Sequence, residues 1–258
     1  MMPGWQQNLA VIRALLTRSR NELLRVPGAA IPGVLAPTIF FLGLNGVFGN
    51  LIELRGFNAD SYLSFIVPVS MLQGAGFTGA ATGVNLARDI EQGWFDRLLA
   101  APVPRWVLLT GMVLSASLRA LVPAVLLLCI AIPLGASWPG VLGLALALFL
   151  VMGLAAVAAC WGTMLALKYK TQSAAPLMQS GTFILVFFTP AYAPLPLLAG
   201  WLQEIARINP VSDVVEAVRQ PFIGGITWGE TWPGLVAIAA LLAAFGALSL
   251  RGMRRTAA

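Results

Sequence analysis

The chain has 258 residues, 59% hydrophobic and 10% charged, with a formal net charge of +6 and no histidine. An ordinary soluble domain has roughly 25% charged residues, so this composition indicates a membrane protein. With two cysteines, Cys129 and Cys160, and two lysines, Lys168 and Lys170, it offers no ligand set for zinc and no Ser-His or Cys-His nucleophile pair. It also lacks a glycine-rich phosphate loop ending in Gly-Lys-Ser/Thr. The expectation is an all-α, multi-pass chain that is not an enzyme and binds no cofactor itself.

In the leading segment, residues 1–26, Trp5, Leu9, Ile12, Leu16 and Leu23 recur near helical spacing while Gln6, Arg13, Arg20 and Asn21 fall largely elsewhere. That pattern predicts an amphipathic helix lying in the membrane interface. The apolar run that follows is about 25 residues, longer than the roughly 7 to 15 of a secretory signal, and is read as a retained span. Marking the charges predicts six spans, at 27–50, 61–87, 107–134, 140–167, 173–196 and 231–250, against about 20 apolar residues per crossing. The third and fourth are separated by a turn signal at Gly135, Trp138, Pro139 and Gly140,.

Lysine and arginine are distributed unevenly over the predicted loops. Twelve lie in the N-terminal segment, the loop after span two, the loop after span four and the C-terminal tail; Arg55, Arg207 and Arg219 lie in the opposite loops, and Arg119 within a span. Positive charge concentrates on the cytoplasmic side, so both termini are predicted to be cytoplasmic. The basic balance is thus topological, with membrane lipid rather than nucleic acid as its counterpart.

Span two carries Ala75, Gly79 and Gly83 at four-residue intervals, a smooth face for close helix approach, either within the monomer or in a dimer. Arg119, four residues before Pro123, either meets a polar part of a cargo or snorkels, or pairs with a carbonyl freed by the proline. No Asp, Glu or His lies inside a predicted span. A carrier driven by protons or sodium normally has such a group near the midplane, so energy must come from elsewhere.

Residues 88–105, "RDIEQGWFDRLLAAPVPR", hold six charges in eighteen positions. Trp94, Phe95, Leu98 and Leu99 fall on one side of a short helix that ends at Pro102 and Pro104, leaving Asp89, Glu91, Asp96 and Arg97 to face something else. Residues alone are compatible with a docking element or with a helix resting on lipid. Span five runs into Pro190, Pro194 and Pro196, which stop a regular helix. Residues 197–225 then carry two apolar stripes, with Asn209 and Pro210 as an N-cap followed by proline at the first helical position. This predicts a re-entrant or interfacial helical hairpin between spans five and six.

The segment "ARDIEQGWFDRLLAAPVPRWVLLTGMVL" resembles the D-x-E-x-G, then L-x-x-x-P-x-x-R, pattern of ABC-2 type (type-2 ATP-binding-cassette) exporter permeases, met by Asp89, Glu91, Gly93, Leu98, Pro102 and Arg105. Trp94 departs from the small hydroxyl residue frequent after the glycine in that family. "INPVSDVVEAVRQPFIGG" is similar to the run that such permeases carry before the last span, met by Asn209, Pro210, Glu216, Arg219 and Gly224. The compact chain most resembles the daunorubicin-resistance subgroup.

The resemblance implies a single transmembrane domain over 1–258 that pairs with a second permease, the same or homologous. It implies two copies of a cytoplasmic ATPase, which hold ATP and Mg, and residence in the cell inner membrane. Residues 88–105 would be the ATPase-coupling helix, with Asp89, Glu91, Gly93, Trp94, Asp96, Arg97, Leu98, Pro102 and Arg105 as its working positions. The 197–225 hairpin would help close the outer mouth, and Arg119, Phe187 and Tyr192 are candidates for the substrate path. The implied cargo is a hydrophobic drug or lipid. A polysaccharide or lipo-oligosaccharide, or a scaffold role without transport, are the alternatives.

Overall fold

The computed structural model describes residues 4–25, 31–50, 59, 61–100 and 103–256, and within these it is all-helical. Ten α-helices follow in order: α1 (Gly4–Arg25), α2 (Ile31–Phe48), α3 (Tyr62–Glu91), α4 (Trp94–Leu99), α5 (Arg105–Ala131), α6 (Gly140–Tyr169), α7 (Ala175–Phe187), α8 (Gly200–Ile208), α9 (Pro210–Ile223) and α10 (Trp228–Thr256). Among the described residues, α3, α5, α6 and α10 are long and apolar enough to cross a membrane, and α2 contributes a shorter apolar helix.

The most enclosed of these helices is α3. Its 30 residues rise about 45 Å, and it packs along α6 and also against α2, α5, α7 and α9. Small residues make the α6 contact possible. A Cβ added at Gly79 would collide with the Ala155 backbone, and one at Gly83 with the Gly162 backbone, while a Cβ at Gly162 would sit 2.9 Å from the Ala80 carbonyl oxygen. Gly79 and Gly83 therefore serve packing within the monomer. Lipid tails are as apolar as leucine side chains, so close backbone approach and dispersion replace the hydrophobic effect as the source of association.

The helix ends are set by local chemistry. Ser61 caps α3 by accepting from the Ser64 N–H at 3.2 Å. The α5–α6 turn is made by left-handed residues at Gly135 (φ 104°) and Gly140 (φ 71°), conformations in which glycine carries no Cβ penalty. The Ser64 hydroxyl anchors that turn by accepting from the Ser137 N–H at 2.8 Å. At its other end α3 closes at Gln92, whose N–H reaches the Arg88 carbonyl, and Gly93 at φ 70° redirects the chain into α4.

Two apolar clusters divide the core. The larger runs from the Tyr62 end of α3 through the middle of the bundle. The smaller lies at the Glu91 end and is built around Leu86, Phe95, Leu109, Leu165, Met178 and Met253, one from each of α3, α4, α5, α6, α7 and α10. The residues of α7 number 13 and rise about 20 Å, less than the roughly 30 Å hydrocarbon thickness. The apolar run predicted over 173–196 is thus α-helical only as far as Phe187, with a 3-10 turn at Leu195–Leu197. Pro190 offers no N–H to continue the ladder, and the Thr189 hydroxyl donates back to the Val186 carbonyl at 2.6 Å.

Gly83→Leu is expected to destabilise the chain by about 1 to 3 kcal/mol or more, the cost of forcing bulk into a packed contact. Thermal unfolding of the purified protein in lipid nanodiscs checks this, and an unchanged midpoint would mean that α3 and α6 are not in backbone contact there.

Candidate functional site

Two constellations occupy opposite ends of α3. At the Tyr62 end, the chain leaving α7 has main-chain carbonyls with no helical partner, a costly state in an apolar medium. Side chains of the hairpin supply the donors. Asn209 has two roles: its Oδ1 accepts from the Val211 N–H at 3.0 Å, capping α9, and its Nδ2 donates to the carbonyls of Leu185 at 2.7 Å and Phe188 at 3.0 Å.

Arg219 completes the closure. Its side chain is only 1% exposed, and Nη2 donates to the carbonyls of Pro190 at 2.7 Å and Ala191 at 2.9 Å. Nε donates to the Phe65 carbonyl at 3.2 Å, and the guanidinium carbon lies 3.8 Å from the Phe65 ring centroid. Nη1 pairs with Glu216 at 2.7 Å. Glu216 is 43% exposed, so solvent screens the ion pair, and the carbonyl fork and ring face hold the arginine more than the carboxylate does. One residue of α9 thereby ties α3 to the broken end of α7. Nearby, the Tyr62 hydroxyl donates to the Tyr192 carbonyl at 3.0 Å, and Gln73 Nε2 donates to the Tyr192 hydroxyl. On α9's far side, Gln220 donates to Thr231 at 2.7 Å, joining it to α10. Pro210 opens α9, and Gly224 ends it with its N–H on the Gln220 carbonyl at 2.9 Å.

At the Glu91 end, two of the four charges read from sequence as facing a partner, Asp89 and Glu91, are used within the chain. Arg18 of α1 donates to both carboxylate oxygens of Asp89 at 2.8 Å and lies 5.6 Å from the Trp94 ring centroid. Arg88 pairs with Glu22 at 3.1 Å. The Glu91 carboxylate accepts from the Thr171 hydroxyl at 2.7 Å, the Gln172 N–H at 2.9 Å and the Gln172 side-chain amide at 2.8 Å. It therefore binds the α3–α4 turn to the turn before α7. Arg105 Nη1 donates to the Leu99 carbonyl at 2.8 Å, closing the free end of α4. Such exposed pairs add little stability, but together they fix how α4 is presented.

Phe95 is the seat of α4. It is 2% exposed and sits in the smaller apolar cluster, whose other buried members come from α3, α5, α6, α7 and α10. Leu98 is half-buried, whereas Trp94 is 50% exposed. Asp96 and Arg97 are exposed, and their side chains make no hydrogen bond or ion pair among the described residues, which leaves them available to another chain. Pro102 lies outside the described residues. Phe95 was legible only as one member of an apolar stripe, with nothing to separate it from Leu98 or Leu99.

The three candidate path residues do not converge. Arg119 lies in a cleft between α1, α3 and α5 and donates to Thr82 at 3.0 Å. Phe187 and Tyr192 belong to a row of rings along α7, in which Phe183 and Phe187 lie 5.8 Å apart, Phe187 and Tyr192 5.6 Å, and Phe188 and Trp201 6.2 Å. Phe40 of α2 joins it 5.9 Å from Phe183.

The ABC-2 type transporter family model matches residues 10–223, which contain both constellations apart from Gly224 and Thr231. The chain belongs to the ABC-2 type transporter family. Relatives include the "Probable doxorubicin resistance ABC transporter permease protein DrrC" of Mycobacterium tuberculosis, 29% identical over 86% of this chain and 82% of that protein. The daunorubicin resistance ABC transporter permease protein DrrB1 of Streptomyces coeruleorubidus is 27% identical over 92% of this chain and 83% of its own. The inner membrane transport permease YadH of Escherichia coli is 30% identical over 75% of each. The ABC-2 chain described here is accordingly a multi-pass transmembrane permease subunit, and its family implies an ABC ATPase as partner.

Arg219→Met is expected to cost about 3 to 5 kcal/mol, as for removing one side of a buried charged network. Arg219→Lys should recover less than half of this, because an ammonium cannot reproduce the planar fork. Thermal unfolding in nanodiscs checks both, and a lysine variant as stable as the parent would refute the carbonyl clamp.

Proposed function

We propose that the chain is one of two permeases, identical or homologous, in an ATP-driven exporter in which two ATPase subunits hold ATP and Mg. Here the chain crosses the membrane six times with both termini cytoplasmic. The supports are the uneven distribution of basic residues and the placement of α2 and α7 as apolar helices beside the four long ones. In this topology α7 begins a short fifth crossing, and the α8–α9 hairpin is re-entrant on the outer side between spans five and six. The basic α1 rests at the cytoplasmic leaflet, where anionic lipid favours it.

The observation that carries the coupling role is Phe95, a buried side chain of the short, charged helix α4 that belongs to one apolar cluster with residues of five other helices. ATP-driven closure of the ATPases would push on α4 through Asp96 and Arg97. Phe95 passes the displacement to the helix ends, while Asp89, Glu91, Gly93 and Arg105 hold α4 at its working angle. Arg219 and Asn209 transmit it at the opposite end, where the hairpin closes the outer mouth.

For cargo, the doxorubicin and daunorubicin resistance of the relatives points to a hydrophobic drug or lipid-like molecule. The ring row from Phe40 to Trp201 agrees, since Phe40 is 41%, Phe187 44% and Trp201 62% exposed and ring faces stack with apolar or amphiphilic molecules. The same row favours a polysaccharide or lipo-oligosaccharide as the second reading. A membrane scaffold without transport is the third.

The test is co-purification with a candidate ATPase into nanodiscs and vesicles. The parent complex should hydrolyse ATP and move an anthracycline or a labelled lipid. Glu91→Lys and Phe95→Ala should each retain a folded complex and ATP hydrolysis while losing most transport per ATP. Full transport by both variants would overturn the coupling role, and glycan movement in place of drug or lipid would select the second reading.

A further inference from the structure

The cleft that holds Arg119 is unexplained by the transport mechanism. It comprises two spaces that share Ser19, Ser115 and Arg119 in their linings, one of about 60 Å³ between α1, α3 and α5 and one of about 320 Å³ between α1 and α5. The larger lies within the range of small-molecule sites. Arg119 makes one hydrogen bond among the described residues, to Thr82, and its Nε is buried without a partner. The Ser19 hydroxyl is likewise unpartnered, in a residue only 9% exposed. Ser115 is satisfied by donating to the Gly111 carbonyl at 2.7 Å.

Glu22 acts on Arg119 through space but makes no hydrogen bond to it. Asp89 is engaged by Arg18 and Glu22 by Arg88, and Arg20, which lines the larger space, has no ion pair among the described residues. The cleft thus has a surplus of cationic donors. Its open wall is apolar: Leu16 lines it, and Leu118 and Val122 are 42% and 40% exposed. A half-buried arginine with a buried, unpartnered Nε and an unpartnered hydroxyl at the foot of an apolar strip suit a molecule with an oxyanion at one end and hydrocarbon at the other. Arginine donors and a hydroxyl match phosphate oxygens, and a membrane supplies that amphiphile.

We propose that this cleft binds one anionic phospholipid of the adjacent leaflet, with its phosphate held by Arg119 and Ser19 and its chain along Leu118 and Val122. The lipid is a resident of the monomer, separate from the ring row, and braces α1 against α5. Of the proposed function the site uses only the membrane topology, which places the Glu91 end of α3 at a headgroup layer. It requires neither an ATPase nor a cargo.

The test is native mass spectrometry of the delipidated full-length chain in detergent micelles, titrated with phosphatidylglycerol or phosphatidylcholine, with millimolar inorganic phosphate as competitor. One phosphatidylglycerol should bind about tenfold or more tightly than phosphatidylcholine. Arg119→Gln should lose about tenfold in affinity, the scale of one charged hydrogen bond, with partial rescue in Arg119→Lys. Ser19→Ala, at the edge of the core, should lose a few-fold and keeps the test decisive if the glutamine variant fails to fold. Equal binding of the two lipids, or phosphatidylglycerol binding unchanged in Ser19→Ala and the arginine variants, overturns the site. Displacement of the lipid by inorganic phosphate would assign the cleft to a soluble phosphate compound and overturn the lipid assignment. Because no transport is measured, failure here leaves the permease function untouched, and failure of transport leaves this site untouched.

Discussion

Inside a bilayer, no backbone N–H or C=O can be left without a partner at tolerable cost. The break after α7 is where this chain meets that constraint most severely, because Pro190, Pro194 and Pro196 deny the helix its next amide hydrogens. Asn209 and Arg219 answer it by donating to Leu185, Phe188, Pro190 and Ala191. The hairpin is therefore part of the fold's solution and not an appendage. The same guanidinium that pairs the loose carbonyls reaches Phe65, so satisfying the break also fastens α9 and α7 to α3.

From that clamp the rest of the architecture follows along α3. Its glycine face lets the α3 and α6 backbones touch, which gives α3 a continuous rigid neighbour for much of its length. At the far end Leu86 and Phe95 share one apolar cluster with residues of α5, α6, α7 and α10. Around that cluster, Arg18–Asp89, Arg88–Glu22 and Glu91 with Thr171 and Gln172 set the angle of α4. A rod held at both ends is suited to carry displacement from the surface that faces an ATPase to the opposite face of the membrane. Under the proposed function, this is the mechanical content of the coupling motif.

The helical class and the short charged helix after span two were legible, because apolar length, charge and proline act locally. The Asn209-Pro210 cap was legible for the same reason, and the structure adds its second role on α7. What was not legible depends on contacts distant in the chain. Spacing at Gly79 and Gly83 shows a smooth face but not whether it meets α6 or a second copy. Asp89 and Glu91 look like free charges until Arg18 and Thr171 are brought beside them. Arg219's main partners are carbonyls, which every residue possesses and which therefore leave no trace in the sequence. Arg119 showed the converse: its proximity to Pro123 suggested a freed carbonyl, whereas Thr82 of α3 receives its hydrogen bond.

The central claim is that α3 moves as one unit between α4 and the hairpin. Electron–electron distance measurements on the assembled transporter test it most directly, with spin labels at Ala100 and at Ile208, both exposed, each paired with its counterpart in the second permease. The account predicts that ATP binding shifts both distance distributions together, and that Phe95→Ala preserves the shift at α4 while abolishing that at the hairpin. A hairpin that moves fully in the Phe95→Ala protein would contradict it.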